Sequence, residues 1–220
     1  MSDTKPKLAV LGGTGDLGAG LAYAWARAGY PIIIGSRSAE RGAAKGVEIR
    51  AAVAGAQVDG GDLQYAARGA DIVVVTVPYA SHAGTLEAVK DAVAGKIVID
   101  TTVPLVPPKV ARVQLPAAGC AAAEAQQVLG AGVRVVSAFQ NVSAHSLMDG
   151  SADCDVLVCG DDVDAREQVI GLVAAIGLKG WHAGVLANSA AAEALTSVLI
   201  SINKRYQLPG SGIRITTGGH

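Results

Sequence analysis

Three glycines with the spacing G-x-G-x-x-G, Gly13, Gly15 and Gly18, stand between a short apolar run, Leu8–Leu11, and a helical pattern from Asp16 to Ala28. Gly29 and a second apolar run, Pro31–Gly35, follow. Strand, glycine turn, helix, strand is the setting in which this spacing binds a dinucleotide. Gly13 would permit the tight turn, Gly15 the close approach of a pyrophosphate, and Gly18 close packing of helix on strand. The phosphates would then meet free N–H groups at a helix N-terminus, where the helix dipole favours negative charge.

The end of the second strand indicates which dinucleotide. A site for NAD would place Asp or Glu about 20 residues beyond the glycines, to hold the ribose hydroxyls. This chain places Ser36 and Arg37 there, with Arg41 one helical turn further on. A carboxylate would repel a 2′-phosphate, whereas a hydroxyl and two guanidinium groups bind one through charge-assisted hydrogen bonds. At about 1.5–3 kcal/mol for each such bond, two of them favour NADP over NAD by about a hundredfold or more.

The acid–base inventory is thin. Reducing a carbonyl requires a proton donor near the substrate, usually His, Lys or Tyr. The four histidines are His82, expected at an exposed helix start, His145, expected near the crevice, His182 after Trp181, and His220 at the terminus. A Tyr-x-x-x-Lys pair is absent. Direct passage of hydride between two organic cofactors needs no such side chain, because the protein supplies position and electrostatics. The inventory therefore favours a second redox cofactor as the acceptor, with no catalytic side chain and no metal.

These residues have to be held by a scaffold, and composition says which kind. Half of the 220 residues are hydrophobic and only 4% are aromatic, as expected of a parallel sheet covered on both faces by alanine-rich helices. A net charge of −1 makes no electrostatic case for nucleic acid or an anionic membrane. Met1–Lys7 is polar and the next apolar run is cut by glycines, so no signal peptide is expected. Cys120, Cys154 and Cys159 lack C-x-x-C spacing and read as reduced thiols of a cytosolic protein.

Strands are expected at 57–59, 72–77, 96–100 and 134–138, with helices at 39–54, 82–94 and 121–129 and a helical turn at 62–68. The proline-rich stretch 101–115 reads as a loop. Such alternation gives βαβ units in a doubly wound α/β sheet. Beyond residue 144 the rhythm changes, with strands at 156–159 and 179–182 and helices at 165–176 and 187–205. Leu195, Val198, Leu199 and Ile202 are spaced as one buried face of the last helix. The expected division is a dinucleotide-binding domain, 1–144, and a small C-terminal α/β domain, 145–220, closing a crevice at the strands' C-terminal ends.

Over nearly its full length the chain resembles the NADPH:F420 oxidoreductases, or F420-dependent NADP reductases. The resemblance is carried by LGGTGDLGAGLA at 11–22, GSRSAER at 35–41, TVP at 76–78, VSA at 136–138 with Ala144, VCGDD at 158–162 and LANSAAAEALTSVLISIN at 186–203. It implies a Rossmann-type fold and hydride transfer between NADPH and C5 of an 8-hydroxy-5-deazaflavin, coenzyme F420. It further implies that Thr14, Gly15, Asp16 and Leu17 hold the pyrophosphate and that Ser36, Arg37 and Arg41 hold the 2′-phosphate. Val77, Ser81, Val103 and Ala144 would line the nicotinamide half. The deazaflavin would be walled by Phe139–Val142, including Gln140, Asn141 and Val142, and by Asn188. Lys204, Arg205 and Arg214 are candidates to meet its acidic tail. The chain departs from well-known members at Gln140, where they carry His, and at Ala190, where they carry Arg. Alternatives on the same scaffold are an NADPH-dependent reductase of another flavin, a ferric chelate or an imine, and an NADP-binding sensor without turnover. A homodimer is expected, the C-terminal helix packing on its copy.

Overall fold

The computed structural model describes residues 5–217; His220 and residues 1–4, part of the leader reading above, lie outside the described residues. One eight-stranded sheet runs through the chain in the order β3-β2-β1-β4-β5-β6-β7-β8. The first six strands are β1 (Leu8–Leu11), β2 (Ile32–Ser36), β3 (Val58–Asp62), β4 (Ile72–Val75), β5 (Ile97–Asp100) and β6 (Arg134–Ser137). All six are parallel, in the 3-2-1-4-5-6 order of dinucleotide-binding sheets. The C-terminal segment adds β7 (Asp155–Gly160), antiparallel to β6, and β8 (Lys179–His182), parallel to β7.

Successive side chains of a strand leave on opposite faces, and here both faces are covered. Leu8, Val10, Ile32, Ile34, Ile97 and Ile99 enter one core with Trp25. Ala9, Leu11, Ile33, Val73, Val75 and Val98 enter the other. This is why the strands read as unbroken apolar runs. The first core carries α1 (Asp16–Arg27) and α7 (Val163–Ala174), the second α3 (Leu63–Gly69), α4 (Tyr79–Val89) and α5 (Ala121–Leu129). Trp25 is wholly buried and its indole N–H donates to the Leu172 carbonyl at 3.0 Å, fastening α1 to α7.

Several boundaries differ from expectation for identifiable reasons. Helix α4 starts at Tyr79 rather than His82, because Pro78, at φ −58, already holds the backbone angle that a helix start requires. That earlier start turns His82 inward, and it is buried rather than exposed. A short helix, α6 (Ala144–Asp149), was not anticipated; Ser143 caps it by accepting the Ser146 N–H. Helix α8 (Ser189–Tyr206) buries Ser189, Ala192, Glu193, Ser197 and Leu199, leaving Val198 and Ile202 exposed at 43% and 37%. The expected buried stripe is therefore largely a surface stripe.

Strand β3 extends through Gly60 and Gly61 to Asp62, beyond the expected end at Asp59. Its glycines admit α2 (Ala39–Ala52) at close range. A Cβ on Gly42 of α2 would collide with the Gly61 carbonyl oxygen and lie 2.9 Å from the Gly61 nitrogen. Both opposing groups are backbone and cannot swing aside. Overpacking of this kind costs about 1–3 kcal/mol, and in a chain of this size each kcal/mol moves the melting temperature by about 2–4 °C. Gly42→Ala should therefore lower the midpoint of a thermal melt by roughly 2–12 °C; an unchanged midpoint would show that α2 can lift from the sheet without cost.

Candidate functional site

The glycine turn joins the end of β1 to α1. Gly12 takes a positive φ of +85, open to glycine without strain, and its N–H donates to the Gly35 carbonyl at 2.9 Å. Gly15 is the N-cap of α1, and no side chain caps that helix start. The N–H groups of the first turn are thus left for a ligand, the arrangement that receives a phosphate. At Gly18 a Cβ would strike the Thr76 hydroxyl and lie 2.7 Å from the Gly12 carbonyl oxygen. Thr76 in turn donates its hydroxyl to the Leu11 carbonyl at 2.8 Å, closing the ends of β1 and β4 together.

A cavity of about 500 Å³ opens on this edge of the sheet. Thr14, Gly15, Ser36, Arg37, Arg41, Val77 and Ser81 all line it, together with Gly12 and Thr76. Gly13 is buried behind the turn, and Asp16 and Leu17 form the first turn of α1. Val103 follows β5, and Ala144 begins α6; neither lines this cavity. Arg37 and Arg41 are exposed, and among the described residues no carboxylate pairs with either guanidinium. Ser38 caps α2 and so places Arg41 in its first turn. Two uncompensated cations and the nearby Ser36 hydroxyl suit a phosphate monoester on a ribose, so the residues fit NADP. A larger cavity of about 910 Å³ lies between α5 and the turns at residues 161–162 and 185–187, and no expected site residue lines it.

The segment expected to wall an acceptor is tied into the protein's own hydrogen bonds. After β6 the chain turns at Phe139, whose φ of 71 is uncommon for a residue with a side chain. The fully buried ring holds the turn, standing edge-on to Trp25 with centroids 5.6 Å apart. Gln140 is thereby directed under the end of β5, where its Nε2 donates to the Asp100 carbonyl at 2.9 Å and to the Ser137 hydroxyl at 2.8 Å. Asn141 donates from Nδ2 to the Ala192 carbonyl at 2.8 Å and to the Thr196 hydroxyl at 3.1 Å, and Thr196 donates to the Gln140 carbonyl at 2.8 Å. The segment is therefore tied to α8. Asn188 is exposed and donates to the Ala183 carbonyl at 2.7 Å, closing the turn before α8. Arg214 is ion-paired with Asp153, while Lys204 and Arg205 stand exposed in the last turn of α8.

His82, expected at an exposed helix start, belongs instead to a buried polar cluster beneath these ends with Asp100 and Glu193, to which the sequence assigned no role. His82 Nε2 lies 2.7 Å from Asp100 Oδ2, and both side chains are all but fully buried. Burial alone would lower the His82 pKa, but the hydrogen bond and charge of Asp100 outweigh it and raise it. His145, expected near the crevice, is exposed and lies 3.7 Å from the Asp149 carboxylate. Glu193 of α8 is 1% exposed and accepts the N–H groups of Ala121 and Ala122, at 2.6 and 3.1 Å, at the start of α5. Burial pushes its pKa up to about 7, against the hydrogen bonds that favour the carboxylate. One sequence signal was available: Cys120, the N-cap of α5, offers no capping side chain, and the last helix, α8, carries one glutamate in an apolar run.

With this geometry in view, the kinship of the chain is direct. Its sequence is 41% identical, over 96% of this chain and 98% of the other, to an F420-dependent NADP reductase of Methanocaldococcus jannaschii. The chain belongs to the F420-dependent NADP reductase family. A Methanothermobacter thermautotrophicus F420-dependent NADP reductase is 40% identical over 96% of this chain and 94% of its own length. Residues 7–104 match the family model described as NADP oxidoreductase, coenzyme F420-dependent. A solved structure from Arthrobacter sp. FB24, assigned to the F420-dependent NADP-reductases, superposes with a TM-score of 0.78, covering 97% of this chain and all of its own, at 24% identity. The VCGDD block of the F420-dependent NADP reductase resemblance proves to be architectural. Asp162 caps α7 by accepting the Ala165 N–H at 2.7 Å, and Asp161 accepts the Leu186 N–H at 2.9 Å.

The exposed guanidinium of Arg37 lining the cavity gives a direct test. Arg37→Ala should weaken NADPH binding by about ten- to a hundredfold, the loss of one charge-assisted pair, while changing NADH binding little. Calorimetric titration of both nucleotides checks this, and equal losses for the two would place the 2′-phosphate elsewhere.

Proposed function

We propose that this enzyme transfers hydride between NADPH and the 8-hydroxy-5-deazaflavin coenzyme F420. The observation that carries the reading is one cavity that gathers the uncapped start of α1, Ser36, two unpaired arginines and Val77 and Ser81 at the ends of β1, β2 and β4. Full-length similarity to F420-dependent NADP reductases supports it.

In this reading the N–H groups of Gly15–Leu17 bind the pyrophosphate, and Ser36, Arg37 and Arg41 bind the 2′-phosphate. NADPH supplies the hydride when bound. Val77, Ser81, Val103 and Ala144 border the nicotinamide half. The wall formed by Phe139, Gln140, Asn141 and Val142 faces the acceptor, with Asn188 at the entry to α8. Gln140 Oε1 and Thr102 Oγ1 are buried without hydrogen-bond partners, two polar atoms left for a ligand beyond β5 and β6. Rate enhancement comes from holding two flat rings at bonding distance and excluding water, with no side chain exchanging a proton with a carbonyl. Residues 1–144 act as the nucleotide-binding part and 145–220 as the part that completes the acceptor wall. The three cysteines are free and buried, which accords with a cytosolic setting.

Mixing the pure protein with NADPH and coenzyme F420 should bleach the visible absorbance of the oxidised deazaflavin in step with NADPH loss, one for one. Turnover with free flavin or a ferric chelate but none with the deazaflavin would overturn the reading.

A homodimer is part of the proposal. Val198, Ile202 and Tyr206 recur every fourth residue along α8 and are exposed, a stripe suited to a second copy of the same helix. In sedimentation experiments the wild type should run as a dimer and Ile202→Glu as a monomer; a monomeric wild type at micromolar concentration would reject this.

A further inference from the structure

Helix α4 presents two different faces. Ser81 and Thr85, four residues apart, line the nucleotide cavity. His82, Leu86 and Val89 form the adjoining face and are buried, the last two in the core that Val73 and Val75 enter. An imidazole among such neighbours is costly to bury unless it is paired. Its partner is Asp100, the last residue of β5, whose Oδ2 lies 2.7 Å from His82 Nε2. A carboxylate can only accept, so Nε2 carries a hydrogen whether the ring is charged or neutral. The Tyr79 ring stacks on the imidazole with centroids 6.3 Å apart, and its hydroxyl donates to Glu124 of α5 at 3.0 Å. The other oxygen of the same carboxylate, Asp100 Oδ1, accepts the Thr102 N–H at 3.0 Å. Thr101 between them donates its N–H and its hydroxyl to the Val75 carbonyl, at 3.1 and 3.0 Å. Asp100 thus bonds at once to α4 and to the chain as it leaves β5.

We propose that His82 is a positioning residue for the nicotinamide end of the nucleotide cavity. It meets no ligand itself. Acting through Asp100, it fixes Val77 and Ser81, at the start of α4, relative to Val103, which follows Thr102. The inference rests on the reading of Val77, Ser81 and Val103 as the border of the nicotinamide half. With an apolar side chain in place of His82, Oδ2 loses its donor, the carboxylate is free to turn, and the hold on the Thr102 N–H is lost with it. The adenosine end, at Gly15, Ser36, Arg37 and Arg41, is held by other bonds: the Gly12 N–H to the Gly35 carbonyl, and the Ser38 cap of α2. Loss of the buried pair therefore weakens one end of the cavity and spares the other.

Two ligands separate the ends: 2′,5′-ADP carries the adenosine and its phosphates without nicotinamide, and NADPH carries both halves. In calorimetric titrations His82→Leu should bind NADPH about tenfold more weakly than the wild type, the effect of one lost hydrogen bond. It should bind 2′,5′-ADP as before, which also certifies the fold. Should the lone buried carboxylate prevent folding, His82→Leu combined with Asp100→Ala, which leaves no charge buried there, serves in its place with the same expectation. His82→Gln, whose Nε2 keeps a donor for Asp100, should bind both ligands as the wild type does. Equal losses for the two ligands, or a loss in His82→Gln as large as in His82→Leu, overturns the proposal. A second readout needs no ligand: hydrogen exchange at the Thr102 amide should be faster in His82→Leu than in the wild type or His82→Gln. Unchanged exchange refutes the link through Asp100 even if NADPH binding falls. Faster exchange with no loss of NADPH affinity refutes the assigned nicotinamide border instead.

Discussion

Helix α1 can begin this close to the ends of β1 and β4 only because nothing larger than hydrogen projects from Gly18. Thr76, Gly12 and Gly13 occupy the space a methyl group would take. The contact sets the separation of β1 and β4, and with it the mouth of the cavity that Val77 and Ser81 line. This approach fixes where the first turn of α1 stands against the end of β4. It is a steric constraint, and it leaves the helix start little freedom.

The acceptor end rests on a different physics. Steric fit around glycine gives way to buried polar groups, which are costly unless each finds its partner. Asp100 satisfies His82 with its carboxylate and Gln140 with its carbonyl, and Oδ1 accepts the Thr102 N–H at 3.0 Å. Glu193 serves as the missing cap of α5 from a helix more than sixty residues away in sequence. The glycine turn and the ends of β5 and β6 are therefore stabilised by unlike means, shape at the first and hydrogen-bond pairing at the second.

The nucleotide half was legible because its signals are local. Gly13, Gly15 and Gly18 are close in sequence and mark the turn from β1 into α1, although its positive φ falls at Gly12 rather than at Gly13, where the tight turn was expected, and Ser36, Arg37 and Arg41 follow within one βαβ unit. That the first six strands form a parallel sheet followed from apolar runs alternating with helical segments; their order came only with the structure. The acceptor half was hardly legible, since its contacts are long-range. Nothing adjacent to His82 announces Asp100, and the inward course of Gln140 depends on the unusual backbone angle at Phe139. Periodicity correctly marked an apolar stripe on α8 at Val198 and Ile202 but could not tell a core face from a face left open. Glu193 was visible as a charge in an apolar helix, and its meaning required the uncapped start of α5.

The two rims of the sheet have a bearing on how the chain behaves in concentrated solution. Its outermost strands, β3 with the sequence VDGGD and β8 with KGWH, are the least apolar of the eight. An open rim of unpaired amides invites a neighbouring molecule to add a strand, and acidic side chains, lysine and glycine discourage it. A protein with half its residues hydrophobic thus keeps its stickiest strands in the interior, and its resistance to fibrillar self-association is written into the two that face outward.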